Sequence, residues 1–89
     1  MPVRIRVVIP PSFKKRLDKK DQRLSAAITE CMQRVLSDPR SPGLNVHRIQ
    51  GTRDVWEAYV DEGNRLTFRR TKEEIEFLNH CNHDILRRA

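Results

Sequence analysis

Arginine and histidine dominate the residues of this chain that can do chemistry. Most lie in its second half: His47, Arg48, Arg53, Arg65, Arg69, His80, His83 and Arg87, interleaved with Trp56 and Tyr59. A guanidinium pairs with phosphate and carboxylate oxygens through a planar fork, and imidazole moves protons near neutral pH. Cations and aromatic rings on one surface suit RNA, which is held by phosphate pairing and base stacking. A large aromatic in a short sheet also fills packing space, and that competing role applies to Trp56 and Tyr59. The run His80-Cys81-Asn82-His83 joins two imidazoles and a thiol, with His47 as a distant fourth ligand. It lacks the separated ligand pairs of structural zinc sites, so neither metal nor cofactor is expected. In a strand His80 points away from Cys81's side and Asn82 carries no basic group, so no pair activates the thiol as a nucleophile.

These side chains need rigid elements to aim them. Val3, Ile5, Val7 and Ile9 alternate with Arg4, Arg6 and Val8, which predicts a strand with one buried face, ended by Pro10 and Pro11. Ser12 is placed to cap a short helix, FKKRLDKK, with Phe13 and Leu17 on one side and a basic face on the other. Leu24, Ala27, Ile28, Cys31, Met32, Val35 and Leu36 recur at spacings of three and four and predict a second helix. Asp21 caps its start, Pro39 and Pro42 stop it near Ser37, and the KKDQ cluster separates the two helices.

After the turn DPRSPG, LNVHRIQG reads as a strand with Leu44, Val46 and Arg48 on one side and Asn45, His47 and Ile49 on the other. VWEAYV and RLTFRR flank DEGN, a hairpin loop in which Gly63 and Asn64 can take positive backbone dihedrals. A last strand, IEFLNH, follows a turn at Thr71 to Glu74. The order is strand, two helices, four strands. This is an α+β fold: a small antiparallel or mixed sheet with two helices from the N-terminal half packed on one face. The other face is left open, and alternation puts Arg65 and Arg69 on one side of their strand and Arg70 on the opposite side.

At 89 residues the chain supports one domain, 1–89, and no second core. Apolar residues make up 37% and charged residues 34%, so the core is thin and the surface densely charged. The 18 Lys and Arg exceed the 12 Asp and Glu, for a net charge of +6, which favours an anionic partner. That excess sits in residues 1–45, while residues 46–89 are neutral, so a basic site in the second half must arise from geometry rather than from bulk charge. Two cysteines do not make a disulfide scaffold, and MPVRIRVVIP is neither a signal peptide nor a membrane span. A reducing, cytoplasmic setting without membrane association is expected.

The DPRSPGLNVHRIQG passage, Trp56 in the middle strand, GNRLTF in the next and the terminal NHDIL resemble, in that order and spacing, the RelE/ParE superfamily of bacterial toxins. The resemblance covers nearly the whole chain and implies the toxin of a type II toxin-antitoxin system. RelE-like members bind the ribosomal decoding site and cut messenger RNA, inhibiting translation, whereas ParE-like members act on DNA gyrase. The first activity implies a metal-independent endoribonuclease in which the ribose 2′-hydroxyl attacks the adjacent phosphate, cations stabilise the growing charge and acid-base groups move protons.

On the same resemblance, Arg65 stands at the arginine of the family's GYR strand motif, with Asn64 in place of the tyrosine. His83 matches a histidine near the carboxyl end, with Asp84 beside it to orient it, and Arg48 falls where the strand after the turn supplies a basic residue. Arg65, His83 and Arg48 form the expected catalytic set, and Arg53, Arg69, Arg87 and His47 the RNA-binding set. Arg87 replaces a tyrosine four residues beyond the histidine, and Trp56, Ala58 and Val60 occupy alternating positions where RelE presents basic residues. These departures leave open two alternatives, a gyrase-binding toxin without nuclease chemistry and a silent relative that keeps only antitoxin binding. The expected partner in every case is a cognate antitoxin with an acidic amphipathic segment.

Overall fold

The computed structural model describes residues 5–80 and the backbone of 81 and 82. Strand β1 (Arg6–Val8) leads into helices α1 (Pro11–Asp18) and α2 (Gln22–Ser37), followed by β2 (His47–Arg48), β3 (Val55–Asp61), β4 (Asn64–Arg70) and β5 (Glu74–Asn82). The spatial order is β1-β5-β4-β3-β2. β1 runs parallel to β5 and the other neighbours are antiparallel, which makes the sheet mixed.

Both helices form where the sequence predicts them, with one change in capping. Asp21 Oδ1 accepts the Leu24 N–H at 2.9 Å and opens α2 as expected. Ser12 does not cap α1: Pro10 occupies the N-cap and Pro11 the first turn, where a missing N–H costs nothing. Phe13 is thereby carried inward and fully buried. Along α2, Ile28, Cys31, Met32 and Val35 face the sheet. They meet Ala58, Leu66, Phe68, Ile75 and Phe77, all 2% exposed or less, and Leu44 closes the side of this core.

Three expectations about the strands need correction. Val7 and Ile9 are exposed, because β1 is an edge strand beyond the reach of the helices, and only Ile5 packs against the core. β2 is two residues long: Gly43 and Asn45 take positive φ before it, and the Leu44 carbonyl accepts the Tyr59 N–H at 2.8 Å. The β3–β4 hairpin forms at DEGN without positive φ at Gly63 or Asn64. Instead Asp61 Oδ1 accepts from the Gly63 N–H (3.0 Å) and from Asn64 Nδ2 (2.8 Å), a side-chain turn that pulls the loop tight.

Register on β5 breaks once. Phe68 faces Phe77 but Thr67 faces Asn79, so Leu78 is an extra residue. The bulge puts Phe77 and His80, three positions apart, on the same helix-facing side, where both are buried.

Candidate nucleic-acid interface

The uncovered face of the sheet is assembled by cross-strand pairing. Val55, Glu57 and Tyr59 of β3 lie opposite Arg69, Thr67 and Arg65 of β4, and His47 of β2 lies opposite Glu57. Directly opposed residues share a face, so His47, Glu57, Tyr59, Arg65 and Arg69 stand together on the side away from the helices.

Glu57 is the centre of this group. It is only 8% exposed, and a carboxylate so placed is costly unless it is paired. Its Oε1 lies 3.3 Å from His47 Nε2 and 3.8 Å from Arg65 Nε. Arg65 is held from two further directions. Nη1 donates to the carbonyls of Asp61 (2.7 Å) and Asn64 (3.0 Å), and the guanidinium carbon sits 4.7 Å from the centroid of the Tyr59 ring. The hairpin carbonyls, the carboxylate and the ring together fix the plane of the fork, while Nη2 makes no hydrogen bond among the described residues. A guanidinium fixed in this way is preorganised to receive an anion through its remaining edge. His47 is half exposed, and its Nδ1 lies 3.0 Å from the Asn45 carbonyl. Both ring nitrogens therefore face oxygen acceptors.

The remaining charges of this face are balanced along the sheet. Arg69 pairs with Glu76 and Arg6 with Glu74, each at 3.2 Å. Such exposed pairs contribute at most about 1 kcal/mol each. Their larger effect is to cancel the positive potential over this part of the face.

The sequence-predicted residues divide between surfaces. Arg65, His47 and Arg69 share the uncovered face. Arg48 pairs with Trp56 and belongs to the opposite, helix-facing side, so it does not join Arg65. Arg53 lies in the segment before β3, beside Arg70 and Lys72 at another end of the sheet. His83 and Arg87 lie outside the described residues. The expectation that Trp56, Ala58 and Val60 line the site is corrected: Ala58 is fully buried under the helices, and Trp56 and Val60 pack on the same core. The site positions of β3 are instead Val55, Glu57 and Tyr59.

His80 is likewise a core residue, not a surface one. Its Nε2 lies 3.3 Å from the Phe13 carbonyl and its ring stands edge-on to Phe13 at 4.5 Å. Its Nδ1 is buried without a partner. Burial pushes the imidazole pKa below its ordinary value, opposed by the Phe13 carbonyl and reinforced by Lys20 and Arg16. His47 and His80 lie on opposite sides of the sheet, which separates two imidazoles that a metal site would have to combine. Among the described residues no group of three or more potential metal ligands converges. The Cys31 thiol is pushed up to about 11 by burial and is not a nucleophile.

Glu57 is the functional candidate that reading the sequence missed. The signal was present: a single acid inside the otherwise apolar run VWEAYV, in phase with a strand partner carrying arginines. An acid in such a run is retained only where a cation meets it.

No protein-family model and no curated protein matches the chain. Solved structures do. YafQ from E. coli superposes with a TM-score of 0.72 at 15% identity, covering 93% of this chain and 98% of that one. A YoeB/ParE toxin from Agrobacterium tumefaciens gives 0.70 at 15% identity, covering 89% and 99%. A chain of the archaeal RelE-RelB complex from Pyrococcus horikoshii gives 0.69 at 18% identity, covering 88% and 93%. The two helices and the five-stranded mixed sheet of this chain build the fold of the RelE/ParE toxins.

Proposed function

We propose that the chain is the toxin of a type II toxin-antitoxin pair and cuts messenger RNA on the ribosome. The observation that carries this reading is the His47–Glu57–Arg65 cluster on the uncovered sheet face, with Tyr59 beside it. It supplies what RNA cleavage without a metal requires: a fixed guanidinium for the charge on phosphate, a carboxylate–imidazole pair for protons and a ring for base stacking. In the proposed step the 2′-oxygen loses its proton to the His47–Glu57 pair and bonds to phosphorus. The bond to the 5′-oxygen breaks, and that oxygen takes a proton from His83. The products are a 2′,3′-cyclic phosphate and a 5′-hydroxyl. Arg65 stabilises the pentacovalent phosphate between them.

The solved RelE-RelB and DinJ-YafQ complexes support an antitoxin partner. The net charge of +6 suits an acidic one. No helix among the described residues is long and apolar enough to cross a membrane.

One observation favours a second reading. Every arginine described on the open face already has a carboxylate partner, which leaves few cations for RNA and fits a toxin that binds DNA gyrase instead. The deciding experiment adds purified protein to translating ribosomes, maps transcript ends and measures gyrase supercoiling in parallel. Ends at fixed codon positions are expected, with Arg65→Ala lowering the rate about 100-fold or more and His83→Ala by a similar factor. Cuts at an unchanged rate in both variants reject the site. Inhibited supercoiling with intact transcripts selects the gyrase reading.

A further inference from the structure

Besides the unpaired cations on and around the helices, four without carboxylate partners gather at one end of the other side of the sheet. Among the described residues, Arg6, Arg34, Arg65 and Arg69 each pair with a glutamate, and His47 with Glu57. Arg48, Arg53, Arg70 and Lys72 make no such pair, and all four are exposed.

Strand register brings these four around one ring. Arg48 stands directly across from Trp56 on the helix-facing side, at the end of the sheet where the ring is only partly covered. Arg70 lies on that same side, two residues after Phe68, which is itself opposite Trp56. Its N–H bonds the Asp54 carbonyl at 2.8 Å and ties the two strand ends together. Arg53, Trp56, Arg70 and Lys72 line one shallow cleft with Asp54 and Thr71. Asp54 is the one carboxylate on this lining, and it forms no ion pair with its cationic neighbours among the described residues.

We infer that this cleft is a second RNA-binding site, which holds a single strand by its phosphates through Arg48, Arg53, Arg70 and Lys72 and stacks a base on the exposed part of Trp56. Three of the four cations are arginine, whose fork fits phosphate oxygens, and base-on-aromatic stacking tolerates any sequence. The lining also disfavours an acidic amphipathic helix. Such a helix needs aliphatic pockets for its apolar face, and no aliphatic side chain lines this cleft. The exposed large aliphatics Val7, Ile9 and Leu36 lie on β1, the segment after it and α2. The site is separate from Arg65, on the opposite side of the sheet, and does not depend on chemistry there.

Trp56 is the only tryptophan of the chain, so its fluorescence reads the cleft directly. The test titrates a 12-nucleotide single-stranded RNA into Arg65→Gln protein, so that strand cleavage does not enter the measurement. Quenching of Trp56 emission is expected. Four phosphate contacts give an affinity falling with salt at a log–log slope of about 3. A variant with Arg53→Gln, Arg70→Gln and Lys72→Gln should bind about tenfold more weakly or worse, with the slope reduced by about 2. A control neutralising Lys14, Lys15 and Lys19 on α1 should keep the quench and most of the affinity, and circular dichroism checks that each variant is folded. Absence of quenching at low salt overturns the inference, as does equal affinity in the cleft variant. Quenching by an acidic peptide but not by RNA assigns the cleft to a protein partner and also overturns it. If RNA binds here while ribosomes leave transcripts uncut, the second site stands and the nuclease reading falls.

Discussion

At the scale of single residues, the open face turns on Glu57. Its carboxylate answers a guanidinium that is only 16% exposed and an imidazole that is half exposed. Removing it leaves Arg65 with two carbonyls and a ring but no counter-charge. Glu57→Ala is expected to cost about 1–3 kcal/mol in urea denaturation, the range for leaving a largely buried polar group without its partner, and Glu57→Gln less. His80 gives a prediction on pH. Its pKa lies below the ordinary 6.5 in the folded chain, so above pH 6.5 both folded and unfolded states hold it neutral and stability is at its full value. As the pH falls through 6.5 the unfolded chain takes up a proton that the folded chain refuses. Stability then declines, by at most about 1.4 kcal/mol per pH unit from this group, until the lower folded pKa is reached. Urea midpoints measured from pH 7.5 to 5 should show that decline, and His80→Leu should flatten it. An equal decline in the variant assigns it to other groups.

At the scale of elements, what the sequence made legible was whatever simple periodicity governs. The three-and-four spacing from Leu24 to Leu36 located α2, and Asp21 and Ser37 bound it as expected. Arg65 and Arg69 were placed on one face because β4 keeps an unbroken alternation. Alternation failed where a strand carries an extra residue. The irregularity between Tyr59 and Asp61 and the bulge at Leu78 change phase without any glycine or proline to mark them, which is why His80 was expected at the surface and is buried. The face of β3 was misread for another reason: Trp56, Ala58 and Val60 were set at the site by resemblance, although they form a wholly apolar set and the alternate set, Val55, Glu57 and Tyr59, carries the one charge. Helix capping offers a direct check. Asp21→Ala should lower stability by about 1 kcal/mol through the lost bond to the Leu24 N–H. Ser12→Ala, within α1 and not at its cap, should change stability by less than about 0.5 kcal/mol. Comparable losses in the two variants contradict the assignment of Pro10 as the cap.

At the scale of the whole molecule, the +6 balance does not describe any one surface. Carboxylates neutralise the described arginines of the open face, while four unpaired cations surround Trp56 on the other side and the rest lie on and around the helices. The position of β5 has a consequence for how the protein is made. Among the elements it leaves the ribosome last, yet it lies inside the sheet, between β1, which is made first, and β4. Until it is synthesised, β1 has no partner and Phe13 lacks Phe77, so the native core waits for nearly the whole chain. A chain ending at Thr71 is expected to show no cooperative thermal transition by circular dichroism, and a sharp one would refute this. A messenger cut short or a chain abandoned before residue 74 therefore yields a polypeptide with both helices and no finished fold, so no partly made chain carries a finished open face.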